Sequence, residues 1–208
     1  MHRTLHEHLN FHPYKRVVVQ ELSPHDLQKG ETLLETLPPD ALVFFSDEAH
    51  FHISGYVNKQ NMCYWSGNNP RELHERPLHS DKVTVWCAVS RVGVIAPYFF
   101  EEDNHAVTVN SQRYVDMIKN FFEPALEEMH VGNVWFQQNS ATADTAQALM
   151  TVLRAKFPRR LISLRGDIPW AVHSPDLMPC DFLWGYLNAE VFKHHPTNLL
   201  QLKNVIWQ

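Results

Sequence analysis

The sequence predicts a mixed α/β domain in which one core sheet is flanked by helices. Three observations predict it. Strand-like and helix-like apolar periodicities alternate along a single chain of 208 residues, which is the pattern of a layered sheet-and-helix domain. Apolar residues make up 44% and charged residues 20%, close to globular averages, and a chain this long buries roughly 70% of its unfolded surface. At about 150 residues per domain, the length fits one large domain with a short appendage rather than two catalytic units.

The elements follow in order. Ser23-Pro24-His25-Asp26 reads as a helix start, with Ser as N-cap, Pro at the first helical position and Asp as a capping-box acid. Leu27, Leu33, Leu34 and Leu37 form its apolar stripe, and Pro38-Pro39 stops it. Ala41 to Phe45 is a continuous apolar run that ends in Ser46-Asp47-Glu48, the pattern of a buried central strand delivering carboxylates at its C-terminal end. His50 to Val57, Val83 to Ser90 and Ile95 to Phe100 read as further strands of a meander, the last two joined by a turn around Arg91 to Gly93. Asn110 or Ser111 caps a helix with apolar positions at Tyr114, Val115, Ile118, Phe121, Phe122, Ala125 and Met129. Val134 to Gln138 is a short strand ending at Asn139, 144–157 is a helix, and Leu161 to Leu164 is the next strand. The Gly- and Pro-rich stretch from Gly166 to Pro179 predicts irregular structure, and Asp181 to Phe192 resumes a helical pattern.

Composition narrows the function classes. The longest apolar runs fall far short of the ~18 residues of a membrane span, so no membrane partner is expected. The first residues carry no apolar h-region, so no secretory signal is expected. Cys63, Cys87 and Cys180 are odd in number and far apart, which fits a reducing compartment better than a disulfide framework. The seven glycines never approach one another more closely than Gly55 and Gly67, which excludes Gly-rich phosphate loops and the nucleotide cofactors they hold; no small-molecule cofactor is expected. Net charge is −5, so any nucleic-acid contact must be local. Arg154, Lys156, Arg159, Arg160 and Arg165 place five cations within 12 residues and no acid among them. They form a candidate DNA-binding patch able to neutralise several phosphates, the alternative being a solvated helix end and loop.

Ligand sites in open α/β sheets lie beyond the carboxyl ends of the strands, and Asp47, Asn139 and Asp181 fall at such points or beside them. They converge if the strands before Asp47 and Asn139 are neighbours and the last helix starts above them. Convergent carboxylates suit a two-metal nuclease, because hard cations take oxygen ligands and two of them clamp the attacking and leaving oxygens of phosphoryl transfer.

Four segments carry a resemblance: Phe45-Ser46-Asp47-Glu48-Ala49-His50-Phe51, Val83-Thr84-Val85-Trp86-Cys87-Ala88, Trp135-Phe136-Gln137-Gln138-Asn139-Ser140-Ala141-Thr142 and Ser174-Pro175-Asp176-Leu177-Met178-Pro179-Cys180-Asp181-Phe182-Leu183-Trp184-Gly185. In this order, through roughly residues 40 to 205, the chain resembles the catalytic domain of Tc1/mariner-type transposases. The resemblance implies a ribonuclease-H-like fold and DNA cleavage with strand transfer at a DDE/D site holding Mg²⁺ or Mn²⁺. Asp47 matches the first acid and Asp181 the third. It also implies DNA as partner, a homodimer and nuclear residence. Under it, residues 1–39 are a remnant of the linker after a helix-turn-helix region, nothing upstream remaining to form that region, and 40–208 are the catalytic domain.

The second acid departs from the family pattern. Where the family has Gln-Gln-Asp-Gly-Ala-Thr, this chain has Gln137-Gln138-Asn139-Ser140-Ala141-Thr142. An Asn keeps one carbonyl oxygen but removes a full charge from the ligand set, and its NH₂ is of no use to a metal. Lost outer ligands alone cost roughly 10–100-fold in affinity or activity, so at least that loss is expected and impaired cleavage follows. Asp144, at a position where family members often carry His, is either a restoring carboxylate or a helix cap.

Other polar residues have structural readings beside functional ones. Glu48 follows Asp47 on a strand and so points to the other face. Asp176 suits an Asx-turn, with a third-ligand role as the alternative. His50 and His52 are a candidate zinc pair without a second pair to complete it. His2, His6, His8 and His12 are either a metal-binding tract or a mobile terminus. Trp65, Trp86, Trp135, Trp170 and Trp184 read as core and motif positions, with Trp170 also a candidate to stack on DNA. Ser46, Ser140 and Ser174 have no His and Asp in triad order. The competing functional reading is a catalytically inactive nucleic-acid-binding or protein-interaction module derived from a transposase. A decaying genomic copy accounts for the lost acid equally well.

Overall fold

A computed structural model describes residues 22–53, 81–103, 105–138, 147–171 and 177–208. The chain forms α1 (Pro24–Thr36), β1 (Val43–His52), β2 (Lys82–Ser90), β3 (Gly93–Phe99), a small ribbon of β4 (Glu101–Glu102) and β5 (His105–Ala106), α2 (Ser111–Met117), α3 (Glu123–Glu128), β6 (Trp135–Gln137), α4 (Gln147–Lys156), β7 (Leu161–Ser163), β8 (Ile168–Pro169), α5 (Pro179–Lys193) and α6 (Leu199–Trp207). Six strands make one mixed sheet in the order β3-β2-β1-β6-β7-β8. β3, β2 and β1 pair antiparallel, and β1, β6, β7 and β8 pair parallel. The strands before Asp47 and Asn139 are therefore neighbours, with Val43 opposite Trp135 and Phe45 opposite Gln137.

Helices cover both faces, which is why the interior strand β2 is buried almost throughout rather than on alternate residues. Even-numbered residues of β1 and β2, such as Phe44, Trp86 and Ala88, face a core shared with Tyr114, Phe122, Leu149 and Leu153 from the α2 to α4 side. Odd-numbered ones, such as Phe51, Val83, Val85 and Cys87, face a second core shared with Cys180, Trp184 and Leu202 from the α5 and α6 side.

The α1 start forms as the sequence predicts: Ser23 Oγ accepts from the Asp26 N–H at 3.2 Å, and the Asp26 carboxylate accepts from the Ser23 N–H at 3.3 Å. Of its leucines, Leu33 enters the core, Leu37 packs at its edge, and Leu27 and Leu34, one face away, are exposed. The predicted strands 41–45 and 50–57 are replaced by the single strand β1. Its polar middle stays in the ladder because every residue from Phe45 to His52 has a partner on β2, from Val89 to Lys82. Asp47 thus lies within a strand rather than beyond its end. Residues 54–57 fall outside the described ones.

Three further differences have local causes. The helix expected from 110 is capped by the Asn110 side chain but opens into a π-helical turn over Ile118–Phe122 before α3. The extra residue in that turn lets both Phe121 and Phe122 reach Trp86 (ring centroids 6.3 and 5.3 Å), and Pro124 behind it has no N–H for a regular helical bond. The stretch after Gly166 was expected to be irregular, yet Ile168–Pro169 adds an edge strand to β7, where a proline without a donor is tolerated. Gly166 permits it, since a Cβ there would sit 2.4 Å from the Leu161 carbonyl oxygen. Helix α6 lies past the last predicted element.

Candidate functional site

β1 brings Asp47 to the α5 face of the sheet. Its direct opposite on β2 is Cys87, which is fully buried in the core under α5. Just before Asp47, where β1 and β6 part, Ser46 latches the two strands: its hydroxyl donates to the Gln137 carbonyl (2.9 Å) and its N–H donates to Gln137 Oε1 (3.2 Å). Ser46 is thus a structural latch. Glu48 falls on the other face, as strand alternation requires.

α5 lies across β1 and β2 on that face. It is pinned there by Cys180, whose thiol donates to the Phe45 carbonyl at 3.2 Å, and by Trp184, whose indole N–H donates to Asp47 Oδ2 at 3.0 Å. The Trp184 ring also packs edge-on against Phe51 (6.1 Å, 74°). The start of α5 therefore supplies a thiol and an indole to the same patch of sheet, with Asp181 next to the thiol in sequence.

Asp47 lies on this patch, and Asp181 stands in the first turn of the helix docked over it. The Cys180 thiol is held far above its usual range, first by its hydrogen bond with Cys87, then by burial, by charge on Cys87 and by the charges of Asp47 and Asp181. Both carboxylates are thus within electrostatic reach of Cys180. Partial burial raises the Asp181 carboxyl above its ordinary value. Carboxylates are the hard oxygen donors that a divalent cation takes.

Asn139, with Asp144 and Asp176, lies outside the described residues. The Gln138 N–H donates to the Ile162 carbonyl at 3.0 Å, so the chain is held in the sheet up to the residue before Asn139. Among the described residues no group of three His, Cys, Asp or Glu side chains is set to hold a metal. The described part of the site is a pair of acids. His50 engages Thr84 Oγ1 at 3.0 Å, and burial, Lys82 and His52 lower its pKa. Trp170 is 3% exposed and packs on Phe45 (6.3 Å), so it offers no surface to a base; burial corrects that alternative.

The five cations lie elsewhere. Leu161 stands level with Phe136, and Phe136 with Phe44, so Arg160 is four strand positions behind Asp47 in the common strand direction, roughly 13 Å at about 3.3 Å per residue. Lys156 pairs with Glu123 across 3.7 Å, and the Arg154 guanidinium donates to the Arg165 carbonyl at 2.6 Å. Arg159 is exposed in the left-handed region (φ 58°), while Arg160 is half-buried with a buried Nη1 that makes no hydrogen bond among the described residues. Arg159 and Arg160 thus sit at the far end of the parallel strands from Asp47, whereas Arg165 follows the C-terminal end of β7.

Trp184 is the residue that sequence reasoning missed. It read as a core position, whereas its N–H also orients a candidate ligand 137 positions away, a pairing that no local pattern signals. Trp184→Phe keeps the ring and removes that hydrogen bond. We expect Mn²⁺ affinity at the site to fall by roughly 10–100-fold, with stability changed by only about 1 kcal/mol, read by calorimetric titration and thermal melting.

An antiparallel β3-β2-β1 half, a parallel β1-β6-β7 half, helices on both faces and an acid on the central strand define a ribonuclease-H-like domain. No protein-family model matches the chain. The Tc3 transposase of Caenorhabditis elegans is 26% identical over 159 residues, covering 74% of this chain and 44% of that protein. The Mos1 mariner paired-end complex with Mn superposes with a TM-score of 0.61 at 22% identity, over 90% of this chain and 55% of the other. The catalytic domain of Mos1 mariner transposase does so at 0.53 and 19% identity, over 84% and 76%. The likeness to Mos1 is one of fold. The chain spans about half the length of these longer relatives. Sequence and fold together support a Tc1/mariner-type transposase catalytic domain.

Proposed function

We propose that the chain is built for divalent-metal-dependent DNA phosphodiester cleavage and strand transfer, with a metal site weakened by Asn139. The observation that carries this is the hydrogen bond from Trp184 to Asp47 on a central strand, which docks over that acid the helix whose first turn carries Asp181. Asp47, Asn139 and Asp181 would hold Mg²⁺ or Mn²⁺. A bound pair of such ions supplies charge neutralisation at the scissile phosphate and an activated nucleophile. The chain's own part is orientation: Trp184 fixes one oxygen of Asp47, and Cys180 and Ser46 fix the helix and strands that carry the acids. The Mos1 relatives were captured with transposon ends and with Mn or Mg, which supports DNA as the substrate and these ions as the cofactor. Residues 40–208 are the proposed catalytic domain, and 1–39 the proposed linker segment. A homodimer and nuclear residence rest on the resemblance alone.

The distance between the acids and the basic edge favours a second reading, in which Arg154, Lys156, Arg159, Arg160 and Arg165 hold DNA without cleaving it. The test is Mn²⁺-dependent nicking of supercoiled plasmid. Nicking by the Asn139→Asp protein that disappears on Asp47→Ala supports the nuclease; equal residual nicking in the Asp47→Ala protein refutes metal catalysis here.

A further inference from the structure

Helix α5 carries no side-chain cap at the end where Asp181 stands. Helices α1, α2 and α6 each begin on a residue, Ser23, Asn110 and Asn198, whose side chain accepts from a backbone N–H three residues on. At the same place α5 has Met178, which makes no such bond. Cys180 and Trp184 pin the face of the helix that lies on the sheet. Asp181 belongs to the first turn, so its place also depends on what holds the residues just before Pro179.

Helix α1 holds them. Asp26, Gly30, Leu33 and Leu37 recur at the spacing of one helical face. Asp26 and Leu33 are buried and Leu37 packs at the core edge, so this face is the inward one. Leu33 enters the same core as Met178 and as Ile168 of β8, the strand against which α1 packs. At Gly30 a Cβ would meet Leu177 Cδ1 at 3.7 Å and nothing else among the described residues within 4 Å. That is ordinary van der Waals contact, so Leu177 lies against α1 at the one position of this face that has no side chain. An alanine fits there, and a residue branched at Cβ pushes into Leu177.

We infer that Gly30 and Leu177 are positioning residues for Asp181: α1 seats the two residues that lead into α5, Leu177 and Met178, and through them sets the turn that carries the acid. The consequence for cation binding rests on the nuclease reading, whereas the seating of α5 does not. On this inference α1, which lies inside the proposed linker segment, serves the site directly. Burial does here what a capping side chain does for the other three helices: Met178 is 6% exposed and Leu177 is half-buried at the edge of the same core.

The test compares two side chains at one position. Gly30→Ala and Gly30→Ile both favour the helix over glycine, but Ile fills both γ positions that a helix allows and cannot turn its bulk away from Leu177. The first readout is metal-free: alkylation by N-ethylmaleimide in EDTA of Cys180, which is fully buried and next to Asp181 in sequence, followed by peptide mass spectrometry. The expected result is the parent rate in Gly30→Ala and a rate at least about tenfold faster in Gly30→Ile, whose melting temperature stays within roughly 4 °C of the parent, so that the opening is local. Leu177→Ala, at a half-buried residue, also labels faster, and Leu177→Met, of nearly equal volume, returns to the parent rate. The second readout is the Mn²⁺ concentration at half of the melting shift, which rises about tenfold in Gly30→Ile and Leu177→Ala and stays put in Gly30→Ala and Leu177→Met. Should Gly30→Ile not fold, the Leu177 pair decides by the same readouts. Parent-like labelling of Cys180 in both Gly30→Ile and Leu177→Ala overturns the inference, and so does equally fast labelling in Gly30→Ala and Gly30→Ile. Faster labelling with an unchanged Mn²⁺ midpoint, in a parent that responds to Mn²⁺, overturns the link to Asp181. A parent with no Mn²⁺ response whose Cys180 is still opened by Gly30→Ile overturns the nuclease reading and leaves the seating of α5 standing.

Discussion

Asn139→Asp is expected to turn on Mn²⁺-dependent nicking of supercoiled DNA, by roughly 100-fold or more over the parent chain. The argument is one of charge. Asp47 lies on the α5 face of the sheet, Asp181 stands in the first turn of α5, and partial burial already raises the carboxyl of Asp181. An amide in third place returns only a neutral oxygen, so two divalent cations would be held by two charges where the family pattern supplies three. Losses in coupled catalytic groups compound rather than add, so restoring one charge recovers far more than its own share. The substitution swaps NH₂ for O at nearly constant volume, and the ladder of β6 ends before it, so the fold is unaffected. Nicking at equal rates by both proteins would place the defect outside the acid set.

Phe122→Ala is expected to cost about 3–5 kcal/mol of folding free energy, enough to unfold much of the population of a marginally stable domain. Phe122 is fully buried and its ring touches Phe44, Trp86, Phe136 and Phe157 at centroid distances of 5.9, 5.3, 5.0 and 6.3 Å. These rings belong to β1, β2, β6 and the end of α4, so one side chain ties the antiparallel half of the sheet to the parallel half. The π-helical turn exists to place it there beside Phe121, and the surrounding rings are too rigid to close the gap. Chemical denaturation checks the loss through its midpoint at unchanged m-value. A loss below about 1 kcal/mol would mean that this aromatic cluster is not the joint of the two halves.

What the sequence disclosed followed signal strength. Ser23 and Asn110 were legible because a capping side chain bonds a residue three positions on, and both caps form. The β2 and β6 strands and the α5 pattern were legible from period alone. β1 was not: Ser46 to His50 is polar, and only the ladder to β2 keeps those residues extended. β8 was hidden because its two residues gain a strand only by lying beside β7. At the site, Asp47 and Asp181 could be named from motif and position. The indole bond from Trp184 to Asp47 joins residues 137 positions apart and has no local trace. The cations of 154–165 were visible as a cluster, but their distance from the acids depends on strand direction, which composition does not carry.

The central claim is that Asp47 and Asp181 form one divalent-cation site, and melting temperature against Mn²⁺ concentration tests it most directly. Folded protein that binds a ligand gains stability, about 2.7 kcal/mol at 100 times the dissociation constant. We expect the melting temperature of the parent to rise with Mn²⁺, and that of the Asn139→Asp protein to rise at lower concentrations. Asp47→Asn and Asp181→Asn should each abolish the response. Without metal, Asp181→Asn should melt no lower than the parent at pH 7. The folded-state pKa of Asp181 lies above its unfolded value, so the ionised carboxylate opposes folding at that pH, and the neutral amide removes the penalty. A Mn²⁺ response that survives in both Asn variants would contradict the account, because the cation would then be bound somewhere other than between these two acids.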